Sequence, residues 1–485
     1  MVKGIIKLYL YSVKNAESRH ANTQNMARPF GTLFGVAIIA IAITCSGLDP
    51  LKAETLKSAL ASAYMNNPEL RAERARQRAT DEGVPQALSG WRPIISGTGD
   101  LGKSRSKSWG GAGSTVTRLD PRGFGISITQ PIFNGMRTVN GVKQAEAGVL
   151  AGREALLNVE QNILLSSITA YLDVLRDTAI LRLRRNNHTV LSAQLRSTRA
   201  RFDVGELTRT DVAQARARVS GALSEVNAAR ANLASSRAVF RQNIGHAPGS
   251  LRYPRSIAPK LPRSKKQAYQ IAMSEHPAIL ASAHTEEAAR HEIKVKRGEL
   301  YPTISAEAAY SRRWEPSSVT RKSSSASITG RLTIPLYQGG SVYSRLRQAK
   351  HTHAQRSLEL DKTRAAVRAS VSSAWEGLSA ARAQIVAAQQ QVRAARIALN
   401  GVRQEAKVGQ RTTLDVLNAQ QELLDANVSL VLSERNATVA AYSLLSAIGR
   451  LNARYLALPV KIHDPAVNYK RVRKQWFGAK VIKND

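Results

Sequence analysis

Apolar residues alternate with polar ones in three short segments. In "GFGISITQPIF", Phe124, Ile126 and Ile128 share one side, with Ser127 and Thr129 on the other. In "TISAEAAYS", Ile304, Ala306, Ala308 and Tyr310 oppose Ser305 and Glu307. In "ASITGRLTIPLY", Ile328, Leu332 and Ile334 oppose Ser327, Thr329, Arg331 and Thr333. A period of two predicts β-strands. A fourth strand, with a fainter pattern, is predicted in "PIISGTGDLG". Each segment has about ten residues, the length that crosses a bilayer at a tilt. Ile328 and Leu332 are then expected to face lipid and Arg331 the lumen.

Elsewhere the apolar residues recur every seven positions. Val212, Val219, Val226, Leu233 and Phe240 form one seam, and Val416, Leu423, Leu430, Ala437 and Leu444 form another. Ile385, Val392, Leu399 and Ala406 continue the pattern, with Ala388, Ala395 and Val402 between them. A seam repeating at seven keeps one face on one neighbour, which predicts coiled-coil helices. Residues 134–202 and 339–406 hold no proline, so each predicts one helix of about 100 Å at 1.5 Å per residue. Gly205 and Gly409 stand where these helices should stop, and new helices are expected to run to about residues 245 and 449. A helix of about thirty residues is predicted ahead of each strand pair, over 54–88 and 265–298, and a Gly/Ser-rich loop within each pair.

These elements occur twice. "VGELTRTDV" (204–212) and "VGQRTTLDV" (408–416) match at Gly205/Gly409, Thr208/Thr412, Asp211/Asp415 and Val212/Val416, always 204 residues apart. The same interval relates "PIFNG" at 131 to "PLYQG" at 335 and Ile244-Gly245 to Ile448-Gly449. Upstream it drifts to 209, where Asn67-Pro68 answers His276-Pro277. The chain therefore divides into an N-terminal extension with an export signal (1–53), a first repeat (54–250), a Pro-rich linker (251–263), a second repeat (264–458) and a basic tail (459–485).

Composition narrows the class. Aromatic residues make up only 5% of the 485, which favours long helices over a compact core. Lys and Arg number 71 against 35 Asp and Glu, a formal charge of +36. Such an excess suits nucleic acid, an anionic membrane surface or acidic partners. The basic residues are spread through the helices, which weakens the nucleic-acid reading. Cys45 is the sole cysteine, so no intrachain disulfide or cysteine-based metal site can form. It lies in "MARPFGTLFGVAIIAIAITCSGLDPLKAETL", which has a basic start at Arg28, an apolar run from Leu33 to Ile43 and a small-residue ending. This predicts a secretory signal cleaved after Ala53, with lipidation at Cys45 as the alternative and Met26 as a second possible start.

Candidate chemistry is sparse. There is no HExxH, phosphate loop, nucleophile elbow or Cys/His cluster, so no enzyme activity, cofactor or metal is expected. His188 lies on a seam, and His351 and His353 project to different sides of a helix; packing accounts for them. The tail "KRVRKQWFGAKVIK" is read as a solvated terminus. The repeated turns hold the informative residues. Thr208 and Thr412 each stand three residues before an acid, Asp211 and Asp415, the spacing of a helix capping box.

The duplication, the pair "QPIFNG" and "IPLYQGG", and the pair "VGELTRTDV" and "VGQRTTLDVLNAQ" resemble the TolC family of outer-membrane efflux and secretion channels, from about residue 54 to 455. The resemblance implies a mixed α/β membrane protein, mostly α. It implies a homotrimer in outer-membrane lipid, four strands per chain in one shared twelve-stranded β-barrel, and coiled-coil helices forming a periplasmic α-barrel. It implies a passive exit duct for tripartite efflux or type I secretion, fed by an inner-membrane RND or ABC transporter through a periplasmic adaptor, with no nucleic acid bound. It places the helix-break turns at Gly205 and Gly409 at the periplasmic aperture, Asp415 in an acidic ring, and Arg411, Thr210 and Asp211 in the network that holds the aperture shut. Asn418 takes a place that is acidic in the best-known members, and Ala406 one that is aromatic. The competing reading is a soluble or exported coiled-coil protein that uses its charge on anionic partners; a signal sequence and lipid-length strands argue against it.

Overall fold

The computed structural model describes residues 54–111, 113–254 and 260–481. The expected export signal, with Met26, Cys45 and Ala53, lies outside the described residues, as do 255–259 of the linker.

Three short helices open the first repeat: α1 (Leu56–Asn66), α2 (Pro68–Asp81) and α3 (Gly83–Leu88). The second opens with α6 (Lys265–Glu275) and α7 (Pro277–Gly298). The expected thirty-residue helices are thus broken, and the prolines explain it. A residue before proline is driven out of the helical region; Asn67 (ψ 123°) and His276 (ψ 121°) are extended. Each instead caps the next helix. Asn67 Oδ1 accepts from the Glu69 amide at 2.9 Å, and His276 Nδ1 accepts from the Ala278 amide at 3.1 Å. Burial lowers the His276 pKa, which keeps that nitrogen free to accept.

Among the described residues six strands follow: β1 (Ile94–Leu101), β2 (Ser104–Gly110), β3 (Gly113–Leu119), β4 (Arg122–Asn134), β5 (Thr303–Ser317) and β6 (Thr320–Thr333). β1, β4, β5 and β6 form one antiparallel sheet in the order β1-β4-β5-β6. The Gly/Ser-rich segment of the first pair is not a plain loop: β2 and β3 form a separate hairpin. β4, β5 and β6 span 13, 15 and 14 residues, longer than the alternation alone suggested, and Ile334 lies just past the end of β6. Facing partners Ile126↔Tyr310, Ile128↔Ala308 and Ala308↔Ile328 put the apolar residues of three strands on one side. The other side is polar: Ser96 and Ser127 hydroxyls meet at 2.7 Å, and Arg331 forks onto Glu307 at 3.1 and 3.0 Å. The β4–β5 ladder shifts between Pro131 and Phe133, where proline has no N–H to give.

The long helices α4 (Arg137–Asp203) and α8 (Ser341–Lys407) have 67 residues each. Each folds back onto a shorter partner, α5 (Arg209–Ile244) or α9 (Thr413–Ala447). Ala388, Val392, Ala395 and Leu399 are buried along α8, and Val226, Leu233 and Phe240 along α5, as the seven-residue seams require. Leu423, Leu430 and Ala437 of α9 are only half-buried within one chain. Among the described residues no helix is long and apolar enough to cross a membrane.

The main core joins the two repeats partway along α4 and α8, where α5 and α9 end and α1 and α6 pack. Tyr64, Leu164, Tyr171, Phe240, Leu444 and Ile448 are among its large, fully buried members. The Tyr171 hydroxyl donates to the Glu54 carbonyl at 2.8 Å and Glu54 pairs with Leu251, so the two ends of the first repeat meet.

The described part of the tail departs from the solvated reading. After the one-turn helix α10 (Ala453–Leu456) it forms α11 (Ala466–Val472) and docks. Val472 is buried, Asn468 Nδ2 donates to buried Asp81 at 2.8 Å, and Arg473 pairs with Glu146 at 2.9 Å. The Arg92 guanidinium lies 4.8 Å from the Trp476 ring. Polar and cation–π contacts replace the apolar periodicity that would have marked a packed helix.

Candidate functional site

The repeated turns end α4 and α8 in the same way. Gly205 and Gly409 take φ of 82° and 79°, a left-handed conformation that favours glycine. The chain then reverses, and the Glu206 and Gln410 amides return to the Arg201 and Glu405 carbonyls, each at 2.9 Å. Thr208 and Thr412 cap the next helices. Their hydroxyls accept from the Asp211 and Asp415 amides at 3.3 and 3.2 Å, and their own amides donate to the Asp211 and Asp415 carboxylates at 3.0 Å. The capping boxes read from the spacing are therefore present in both repeats. Bonds from the Thr208 and Thr412 amides and hydroxyls hold both carboxyls below their ordinary pKa; Arg411 adds a further lowering at Asp415.

The two turns lie at the same end of the hairpins. Leu417, in the second turn of α9, packs on Leu191 of α4 and Ala222 of α5. Asn418 beside it accepts from Arg218 Nη2 of α5 at 2.8 Å, a bond between hairpins of different repeats. Arg184 of α4 holds Glu225 of α5 at 2.7 Å and approaches Asp425 of α9 at 3.9 Å.

Arg411 does not reach Asp211 within the chain. Its Nε meets Glu405 Oε2 at 2.8 Å, across its own turn, because Glu405 sits on the last turn of α8, directly opposite. The first repeat has the reversed clasp, Arg201 to Glu206, also at 2.8 Å. Both pairs are about half-exposed and add little stability. Thr210 is exposed in the first turn of α5. Sequence reasoning missed Glu405, Arg201, Glu206 and Arg218. The signal for the first of these was available: Arg201 and Glu405 stand at equivalent places in the duplication, with opposite charge.

His188 is half-buried on its seam, and His353 Nε2 meets Glu286 at 2.5 Å. Among the described residues no group of three or more His, Cys, Asp or Glu is placed to hold a metal ion.

Comparison with known proteins gives a consistent family. The chain matches the outer membrane efflux protein family over residues 59–246 and again over 268–450. It is 41% identical over 448 residues to the outer membrane efflux protein BepC of Brucella suis biovar 1 (strain 1330), covering 91% of this chain and 96% of that protein. It is 27% identical over 438 residues to the outer membrane protein TolC of Escherichia coli (strain K12), covering 86% and 87%. The crystal structure of the Campylobacter jejuni CmeC outer membrane channel shares the fold, with a TM-score of 0.74 at 16% identity over 86% of this chain and 89% of that one. The two-fold match, the paired hairpins and the four-stranded sheet lead to one conclusion: the chain belongs to the outer membrane efflux protein family.

Proposed function

We propose that this protein is a homotrimeric exit duct of the outer membrane, conducting solutes passively from an inner-membrane RND or ABC transporter through a periplasmic adaptor to the exterior. The sheet carries this reading. It is apolar on one face and polar on the other, and among the described residues β1 and β6 leave their outer edges unpaired. An open edge is not tolerated in hydrocarbon. Four strands are too few to close a barrel around an aqueous lumen, whereas copies joined edge to edge are enough. The coiled-coil hairpins leave the same sheet at one end and extend the duct into the periplasm. The half-buried seam of α9 supplies a surface for neighbouring copies. In this reading residues 1–53 direct export, 54–250 and 264–458 each give two barrel strands and one hairpin, 251–263 link them, and 459–485 brace the junction.

The turns at Gly205 and Gly409 form the periplasmic mouth. Asp415 copies ring the axis, and Arg411, Asp211, Thr210 and Asn418 govern contacts between hairpins. Single-channel recording in planar bilayers tests this. Asp415→Ala should lower cation preference, and Arg411→Ser, which frees Glu405 and the turn, should raise conductance. Unchanged selectivity in the first together with unchanged conductance in the second would reduce these turns to helix caps.

A further inference from the structure

The apolar face of the sheet changes character at the end away from the helices. All four helix connections leave the sheet at one end, through Trp91, Gly298, Asn134 and Thr333; the β1–β4 and β5–β6 connections lie at the other. At that far end the facing residues Arg122, Trp314 and Lys322 form one row across β4, β5 and β6. The next row inward is Phe124, Arg312 and Ser324. Both rows lie in register with the Ile126–Tyr310 row, so they belong to the apolar face and not to the lumen face of Glu307 and Arg331.

Three cations thus stand on the outward side, just beyond the apolar band. Their aromatic neighbours are packed together: Phe124 lies 6.0 Å from Trp314 and 6.3 Å from Tyr310. Arg312 lies 5.3 Å from the Trp314 ring, and its buried Nε has no hydrogen-bond partner among the described residues. A buried guanidinium N–H without an acceptor is costly. Directly below, the face is hollowed into an open depression of about 610 Å³ between Ile126, Ile128, Tyr310 and Ile328, floored by Ala308 and Ala326.

We infer that Arg122, Arg312 and Lys322 bind a phosphate of the phosphorylated glycolipid of the outer leaflet, lipid A, with an acyl chain of the same molecule in the depression beneath them. Each part of that ligand has its match. A guanidinium presents paired donors to a phosphate, and a nearby ammonium adds charge. Nε is covered in the packed rotamer, so a phosphate reaches it only when the Arg312 guanidinium turns off the Trp314 ring, which gives the unpartnered N–H its acceptor. The depression is apolar and open to the side, which suits a chain lying along the barrel. Trp314, Phe124 and Tyr310 mark the level where hydrocarbon gives way to headgroups. Cations that only snorkel to the interface would need neither the hollow nor a particular headgroup.

The inference rests on the sheet spanning the outer membrane as proposed above. The test uses the assembled protein extracted from outer membranes, titrated with bis-phosphorylated lipid A, dephosphorylated lipid A and phosphatidylglycerol, with binding read by native mass spectrometry. Lipid A should bind about tenfold or more tightly than either of the others. Combined Arg122→Gln, Arg312→Gln and Lys322→Gln should abolish that preference, whereas Lys107→Gln with Arg118→Gln, on the β2–β3 hairpin, should keep it. If the triple variant does not assemble, Arg122→Gln and Lys322→Gln singly should each weaken lipid A binding several-fold. Equal binding of phosphorylated and dephosphorylated lipid A overturns the site, as does undiminished preference in the variants. Equal binding of phosphatidylglycerol overturns the choice of glycolipid. A wild-type chain absent from outer membranes would overturn the spanning sheet itself, a result distinct from an inserted protein that fails to discriminate.

Discussion

Asp211 and Asp415 do two things at once: each closes a helix N-terminus and each leaves a carboxylate exposed at the end of a hairpin. Their pKa values are held down, so the sign of the pH effect follows. A depressed carboxyl contributes stability that is complete above its unfolded pKa of about 3.9 and is lost as pH falls through the lower folded value. Protection of the Thr208 and Thr412 amides from hydrogen exchange, once corrected for intrinsic rates, should therefore stay constant from pH 7 to 5 and fall only below about pH 3.9; loss of protection near pH 5 would contradict the capping geometry. These caps were legible in the sequence because a capping box is local, three residues from threonine to acid. The Arg218–Asn418 bond was not, since its partners are 200 residues apart and leave no periodic trace. Arg411 shows the same limit: the family resemblance named the residue, but its pairing with Glu405 depends on how the turn folds.

At the scale of elements, periodicity gave the hairpin helices and the strand faces, and it failed where contacts are polar or breaks are local. Proline at positions 68 and 277 split helices that length alone had joined, though both Xaa-Pro pairs were visible in the duplication. The tail hid its docking because α11 is held by Asn468, Arg473 and Tyr469 more than by apolar residues. Removing the Asn468 amide takes from buried Asp81 one of its side-chain donors, Gln77 being another. Asn468→Ala should cost about 1–3 kcal/mol and lower the melting temperature of the extracted protein; an unchanged melting temperature would show that the tail is not docked. The sheet register also sets depth. Ile328 faces Ala308 in the middle of its strand, whereas Leu332 faces Ile304 near the helix end. Ile328→Arg should then cost about 2–4 kcal/mol in lipid, and Leu332→Arg only about 0–1 kcal/mol. Assembly yield in outer membranes should follow that order, with Thr329→Arg, on the lumen side beside Glu307, tolerated. Equal yields for Ile328→Arg and Thr329→Arg would mean that the faces are assigned wrongly.

For the whole molecule, duplication explains why one chain carries two hairpins and two strand pairs in a single architecture. Each repeat alone leaves a helical seam and two sheet edges uncovered; joining two repeats covers one edge of each and leaves two open. Of the 71 basic residues, Arg122, Arg312 and Lys322 stand at the outward end of the sheet, while most of the others are spread through the helices. In the proposed assembly, identical copies close the barrel that a single chain leaves open. Native mass measurement of the protein extracted from outer membranes in detergent tests it most directly. A single species of three mature chains that persists only with detergent or lipid present is expected. A stable monomer that stays soluble without detergent would contradict it.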